Sequence, residues 1–164
     1  MSQLYIEAYP WDLSVDGVDE ILGRLQGEIG TAGMCIWAAA RPTTVLRARP
    51  CETRVFRSRG GLYFQPRRQY YDVTRCRPLV SSWAQAGERF ERVIDACRRN
   101  LLDVRFILSA SRAGRLAEYY PEFAARNAFG AESVQSLCLN NEDVRSCLAA
   151  AISDISSQFQ SSRV

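Results

Sequence analysis

Acid–base hydrolysis can be run by two carboxyl groups that face each other. Glu7 offers one, and Glu118 or Glu122 could offer the second. No spacing rule places any two of them face to face, so the catalytic pair stays open. Ligand rings can stack on aromatic faces, and Trp11, Trp37 and Tyr63 are the candidates, with Tyr9 beside them. Ligand hydroxyls can be bound by amides and guanidinium groups, which nominates Gln65, Arg112, Arg126 and Asn127. Ser109 and Ser111 flank Arg112. Each nominee has a structural alternative. Trp37 can simply pack, as most tryptophans do. Glu7 can be an exposed strand residue or an arginine's partner. Arg126 and Asn127 can tie a loop to the body through backbone carbonyls, although site residues favour loops.

Much other chemistry is excluded. All 21 basic residues are arginine, and there is no lysine or histidine. A Ser-His-Asp triad, a histidine-bound metal and a Schiff-base lysine are therefore impossible within the chain. A coding sequence rich in G and C would explain the arginine bias without any functional reason. None of the six cysteines, Cys35, Cys51, Cys76, Cys97, Cys138 and Cys147, forms a Cys-x-x-Cys pair. They read as buried reduced thiols. No glycine-rich phosphate loop follows a strand. No metal and no cofactor are expected. No apolar run reaches the ~20 residues a membrane helix needs, and no secretory signal is visible at the N-terminus. A cytoplasmic location follows as the expectation.

With 164 residues, 47% of them apolar, one domain with a real core is expected. Leu4, Ile6 and Ala8 alternate with Tyr5 and Glu7, which predicts a strand over 3–9 ended by Pro10. Ser14 or Asp16 can cap a helix whose apolar face is Val18, Ile21, Leu22, Leu25 and Ile29. Gly30 and Gly33 would close it. A second strand, 34–38, is apolar nearly throughout. Residues 41–85 hold four prolines and ten arginines and read as a long excursion. Within it, Gly60-Gly61 would turn a hairpin between Arg54–Arg57 and Leu62–Phe64. A helix over 85–100 buries Phe90, Val93, Ile94 and Cys97. A third strand spans 103–109, and a long loop follows. Asn140 or Asn141 then caps a helix with Val144, Leu148, Ile152 and Ile155 on its apolar face. The domain is expected over 1–155, with a flexible tail over 156–164.

Strands alternating with helices predict an α/β fold with parallel pairing. The expected architecture is a partial (β/α) TIM-barrel-like domain of about three βα units, with a long insertion after strand 2. Barrel sites lie at the C-terminal ends of the strands, where most of the nominated residues fall.

Four passages carry a family resemblance: Gly17-Val-Asp-Glu-Ile-Leu22, the apolar second strand, Gly61-Leu-Tyr-Phe-Gln-Pro66, and Tyr120-Pro-Glu-Phe-Ala-Ala-Arg-Asn-Ala-Phe-Gly130 leading to Leu137-Cys-Leu-Asn-Asn-Glu-Asp-Val-Arg145. The order resembles the N-terminal half of the glycoside hydrolase barrels called glycosyl-hydrolase-like or family-10-like, over most of 4–155. The resemblance implies a carbohydrate ligand. The family's acidic strand would belong to a part beyond the third unit, so hydrolysis is expected only if missing units complete the barrel. The alternative is a non-catalytic remnant or subunit that self-associates or packs on a complementing chain, because an unclosed sheet leaves edges. A third reading comes from Arg54, Arg57, Arg59, Arg67, Arg68, Arg75 and Arg77, interleaved with Phe56, Tyr63, Phe64, Tyr70 and Tyr71. That composition suits single-stranded nucleic acid, but no recognised nucleic-acid motif accompanies it. Nucleic acid is not an expected partner, and neither is a membrane.

Overall fold

The computed structural model describes residues 3–14, 17–46, 55–85 and 87–159. Asp16, Cys51 and Arg54 lie outside the described residues.

Three parallel strands form the centre. Strand β1 (Leu4–Ala8) and β6 (Asp103–Leu108) flank β2 (Thr31–Ala40), and both pair with it in parallel. A fourth, two-residue strand, β5 (Gly61–Leu62), pairs antiparallel with the end of β2. Among the described residues the sheet does not close. Between them run β3 (Thr43–Leu46) and β4 (Val55–Ser58). Helices α1 (Pro10–Leu13), α2 (Val18–Arg24), α3 (Arg89–Arg99), α4 (Gly114–Tyr119) and α5 (Glu142–Phe159) are joined late in the chain by β7 (Ala124–Arg126) and β8 (Glu132–Leu137). No described helix is long and apolar enough to cross a membrane.

Side-chain alternation gives the sheet two unlike faces. Met34, Ile36, Ala38 and Ala40 are buried in one core with Leu22, Phe90, Ile94, Ile155 and Phe159. Phe106 of β6 packs there on Phe90 of α3 and Phe159 of α5, with ring centroids 6.1 and 5.8 Å apart. Each such ring contributes roughly 1.5–3 kcal/mol when fully buried. The opposite face carries Tyr5, Glu7, Cys35, Trp37 and Arg105. Glu7 and Arg105 are exposed there, and the other three are half-buried. A parallel sheet is normally covered on both faces, so this half-open face stands out.

Several local expectations change. Helix α2 starts after Gly17, whose left-handed backbone (φ 77°) occupies the N-cap, while Ser14 ends α1. Its end widens into a π-helical turn over Leu25–Ile29. The changed period rotates Ile29 off the apolar face, and it is 54% exposed. Gly30 does end that helix (φ 72°), but Gly33 lies inside β2. Pro10 begins α1, where a missing N–H costs nothing. Gly60 and Gly61 have positive φ as expected, yet they turn no hairpin. Strand β4 pairs with β3 instead. The two glycines bring the chain back under β2 and against residue 79, where a Cβ on Gly61 would lie 2.3 Å from the Leu79 carbonyl oxygen. Helix α3 begins at Arg89 rather than 85. The supposed long loop after the third strand folds into α4 and the β7–β8 hairpin.

Helix α5 starts as the sequence suggests. The Asn141 side-chain oxygen accepts from the Val144 N–H at 3.3 Å, which caps the first turn. Its buried stripe includes Asp154 in place of Ile152, which is half exposed. Residues 156–159, expected in the tail, are its last turn. Buried Phe159 holds them, and its carbonyl accepts from Arg98. The end of the chain beyond Phe159 lies outside the described residues.

The excursion is held to α5 by carboxylates. Asp154, fully buried, accepts from the Arg67 backbone N–H and Nε, both at 2.8 Å, and from Gln158 at 2.9 Å. Asp143 accepts from the Arg75 backbone N–H at 3.0 Å and from its Nε at 2.9 Å. The Arg75 backbone N–H, followed by its guanidinium, holds the Asp143 carboxyl below the usual carboxylate range. Thr74 donates to the Asp143 carbonyl at 2.7 Å. Arginines 67 and 75 are thereby committed to the fold.

Candidate functional site

The half-open face is built by strand alternation. Glu7 and Cys35 are register partners on β1 and β2, and Trp37 lies two residues further along β2. Trp37 Nε1 donates to Glu7 Oε1 at 2.7 Å. Tyr9, just past β1, stacks on Trp37 with centroids 5.7 Å apart. Glu7, Tyr9 and Trp37 thus form one cluster at the C-terminal end of β1 and β2, where a β/α barrel places its chemistry.

A second cluster lies lower on the same face. The Tyr5 hydroxyl donates to Asp103 Oδ2 at 2.7 Å, crossing β2 at Gly33. A Cβ on Gly33 would sit 2.6 Å from the Tyr5 ring and 2.3 Å from the Asp103 carbonyl oxygen. Arg105 lays its guanidinium over the Tyr5 ring, 3.7 Å from the centroid. The hydrogen bond to Asp103 is the main cause that raises the Tyr5 pKa. Burial likewise raises that of the Cys35 thiol. Sequence reasoning named neither Asp103 nor Arg105. The signal was their period of two along β6.

The other nominated residues separate. Trp11 and Tyr63 are buried, 1% and 0% exposed, and cannot serve as sugar platforms. Trp11 stacks on Tyr9 at 4.5 Å and meets Tyr63 edge-on at 5.1 Å. The Tyr63 hydroxyl pairs with Ser58 at 3.0 Å, and burial pushes its pKa up to about 12. Gln65 donates to the Ala84 carbonyl at 2.9 Å. Arg126 bridges the β7–β8 hairpin to Glu132 at 2.6 Å. Asn127 Oδ1 caps the same turn, accepting from the Phe129 and Ala131 N–H groups at 2.9 and 3.0 Å. All three side chains thus have partners within the fold, and that of Arg126 remains 62% exposed. Ser109 donates to the Arg112 carbonyl at 3.1 Å. The Arg112 side chain is exposed and lines an apolar cavity away from Glu7 and Trp37.

Among the described residues no second carboxyl sits level with Glu7, whose row continues through Cys35 to Arg105. Glu122 lies near Arg75 and Cys76, by the start of α5. Asp103 is two strands across and two residues back from Glu7 in register. Its carboxylate accepts from the Tyr5 hydroxyl, whereas that of Glu7 accepts from Trp37. Among the described residues no group of three or more cysteine or acidic side chains could hold a metal ion. The five described cysteines are free thiols.

No family model, curated protein or solved structure matches the chain.

Proposed function

We propose that the protein is a partial β/α barrel that binds a neutral carbohydrate, without hydrolysing it alone, in a reducing cytoplasm. The observation that supports this most is the Glu7–Trp37–Tyr9 cluster at the C-terminal end of an open parallel sheet. A half-buried indole beside an aromatic ring offers a sugar an apolar face. The carboxylate of Glu7 has a further oxygen free to accept from hydroxyls. Non-catalysis is argued from the separate partners of the two carboxylates, Trp37 for Glu7 and Tyr5 for Asp103. A glycan array followed by calorimetric titration of the best binder tests the reading. Trp37→Ala should weaken binding at least about tenfold, and Glu7→Gln by about three- to tenfold, in line with 1–1.5 kcal/mol per net interaction. An array without saturable binders, or a Trp37→Ala protein binding as the parent does, would remove it.

A second reading is association. Strands β1 and β6 pair on one side only among the described residues. Each leaves an outer row of backbone donors and acceptors, as an edge strand does. The expected result is a dimer or larger species by light scattering at micromolar concentration. A parent protein that is monomeric throughout that range ends this reading.

The nucleic-acid reading loses ground. Arg67 and Arg75 are bound to buried or partly buried aspartates, and Arg77 donates to the Tyr71 carbonyl.

A further inference from the structure

The apolar cavity that Arg112 borders is separate from the Glu7–Trp37 cluster. It opens at the C-terminal ends of β2 and β6, between the sheet and α5. Leu62, Leu108, Leu116, Leu137 and Leu148 wall it, and Arg112 and Arg115 border it. Neither arginine has a carboxylate within ion-pair distance among the described residues. Arg67, Arg75, Arg99 and Arg126 each have one, while Arg89, Arg92 and Arg145 also lack one among the described residues; what distinguishes Arg112 and Arg115 is the apolar cavity that they border. Arg115 makes only a long contact, 3.5 Å, to the Val80 carbonyl. Two uncompensated cations beside an otherwise hydrocarbon wall leave positive charge where no protein group answers it. Guanidinium groups match a carboxylate in shape and charge.

We propose that this cavity binds a short aliphatic carboxylate, with its chain among the leucines and its carboxylate on Arg112 and Arg115. The size of the cavity sets the length. Its volume of about 50 Å³ is well under the roughly 150 Å³ that admits a benzene ring. A chain of about four carbons fits that limit better than a fatty acid does. The charge sets the class: an alcohol of the same length gains the wall contacts alone, and an amine meets two cations.

The test compares butanoate, butan-1-ol and butylammonium against the full chain by NMR titration. Butanoate should saturate a single site and shift the amide signals of Leu116, Leu137 and Leu148. Butan-1-ol should bind at least fivefold more weakly, and butylammonium should not bind. Arg112→Glu, at an exposed position that leaves the core intact, should weaken butanoate at least fivefold and admit butylammonium. Equal binding of the three compounds would overturn the proposal. So would shifts elsewhere on the surface, an absence of saturation, or an Arg112→Glu protein that binds butanoate as the parent does.

Discussion

Asp154→Ala is expected to cost about 3 kcal/mol of stability, read from the urea midpoint at constant slope. The carboxylate is fully buried, and it ends three hydrogen bonds, two from Arg67 and one from Gln158. Removing it strands the Arg67 backbone N–H in a site the solvent does not reach from the α5 side. An unpaired buried donor costs about 1–3 kcal/mol by itself. The guanidinium softens the loss, because the Arg67 side chain is 40% exposed and can rehydrate. That places the figure at the lower end of the range for a broken buried pair. Asp154→Asn keeps an oxygen for the backbone N–H and should recover about half. The Tyr71 hydroxyl is buried near this carboxylate. Its pKa is raised chiefly by burial. A loss under about 1 kcal/mol for Asp154→Ala would show that the clamp does not hold the excursion to α5.

Gly33→Ala should be comparably damaging, about 3 kcal/mol, although it adds a single methyl group. The new Cβ would overlap the Asp103 carbonyl of the neighbouring strand at 2.3 Å and the Tyr5 ring at 2.6 Å. The ring can swing aside, at the expense of its bond to Asp103 and its stacking under Arg105. The carbonyl belongs to the β2–β6 ladder and cannot move without opening it. A Tyr5→Ala background therefore relieves only part of the damage, and the two changes should be non-additive. For a chain of this size 3 kcal/mol corresponds to a fall of roughly 6–12 °C in Tm. A Gly33→Ala protein melting within about 1 °C of the parent would show that the strands re-space without strain.

The two replacements mark where the sequence was readable. Strands β1, β2 and β6 could be placed from local alternation or apolar runs, and α5 from Asn141 and the acidic residues after it. Those signals lie within a few residues of each other. The pairing of β3 with β4, and the clamping of the excursion by α5, join residues far apart in the chain. Gly60-Gly61 has the backbone of a hairpin turn, but the choice of strand partner is tertiary. Asp154 interrupts an apolar stripe, a pattern that would ordinarily be read as a helix facing water. Its partner is 87 positions away. In the site, Glu7 and Trp37 came from their strand ends, and they do meet. Trp11, Tyr63, Gln65, Arg126 and Asn127 had the right chemistry for sugar. What their side chains do is decided by burial and turn geometry, which residue type does not encode.

The use of arginine alone also fixes how the molecule fails in base. Lysine clamps would lose their charge near pH 10. Guanidinium groups do not, so the links to Asp143 and Asp154 outlast that range. The weak points are neutral acids shut away from water. The Cys97 thiol rises from 9.0 to about 12, and the Tyr63 phenol from 10.0 to about 12, both chiefly through burial. Each favours the fold fully below its unfolded value, and that contribution drains away as pH climbs towards the folded one. Alkaline unfolding therefore begins with a thiol and a phenol seeking ionisation, while every ion pair on the α5 side is still intact.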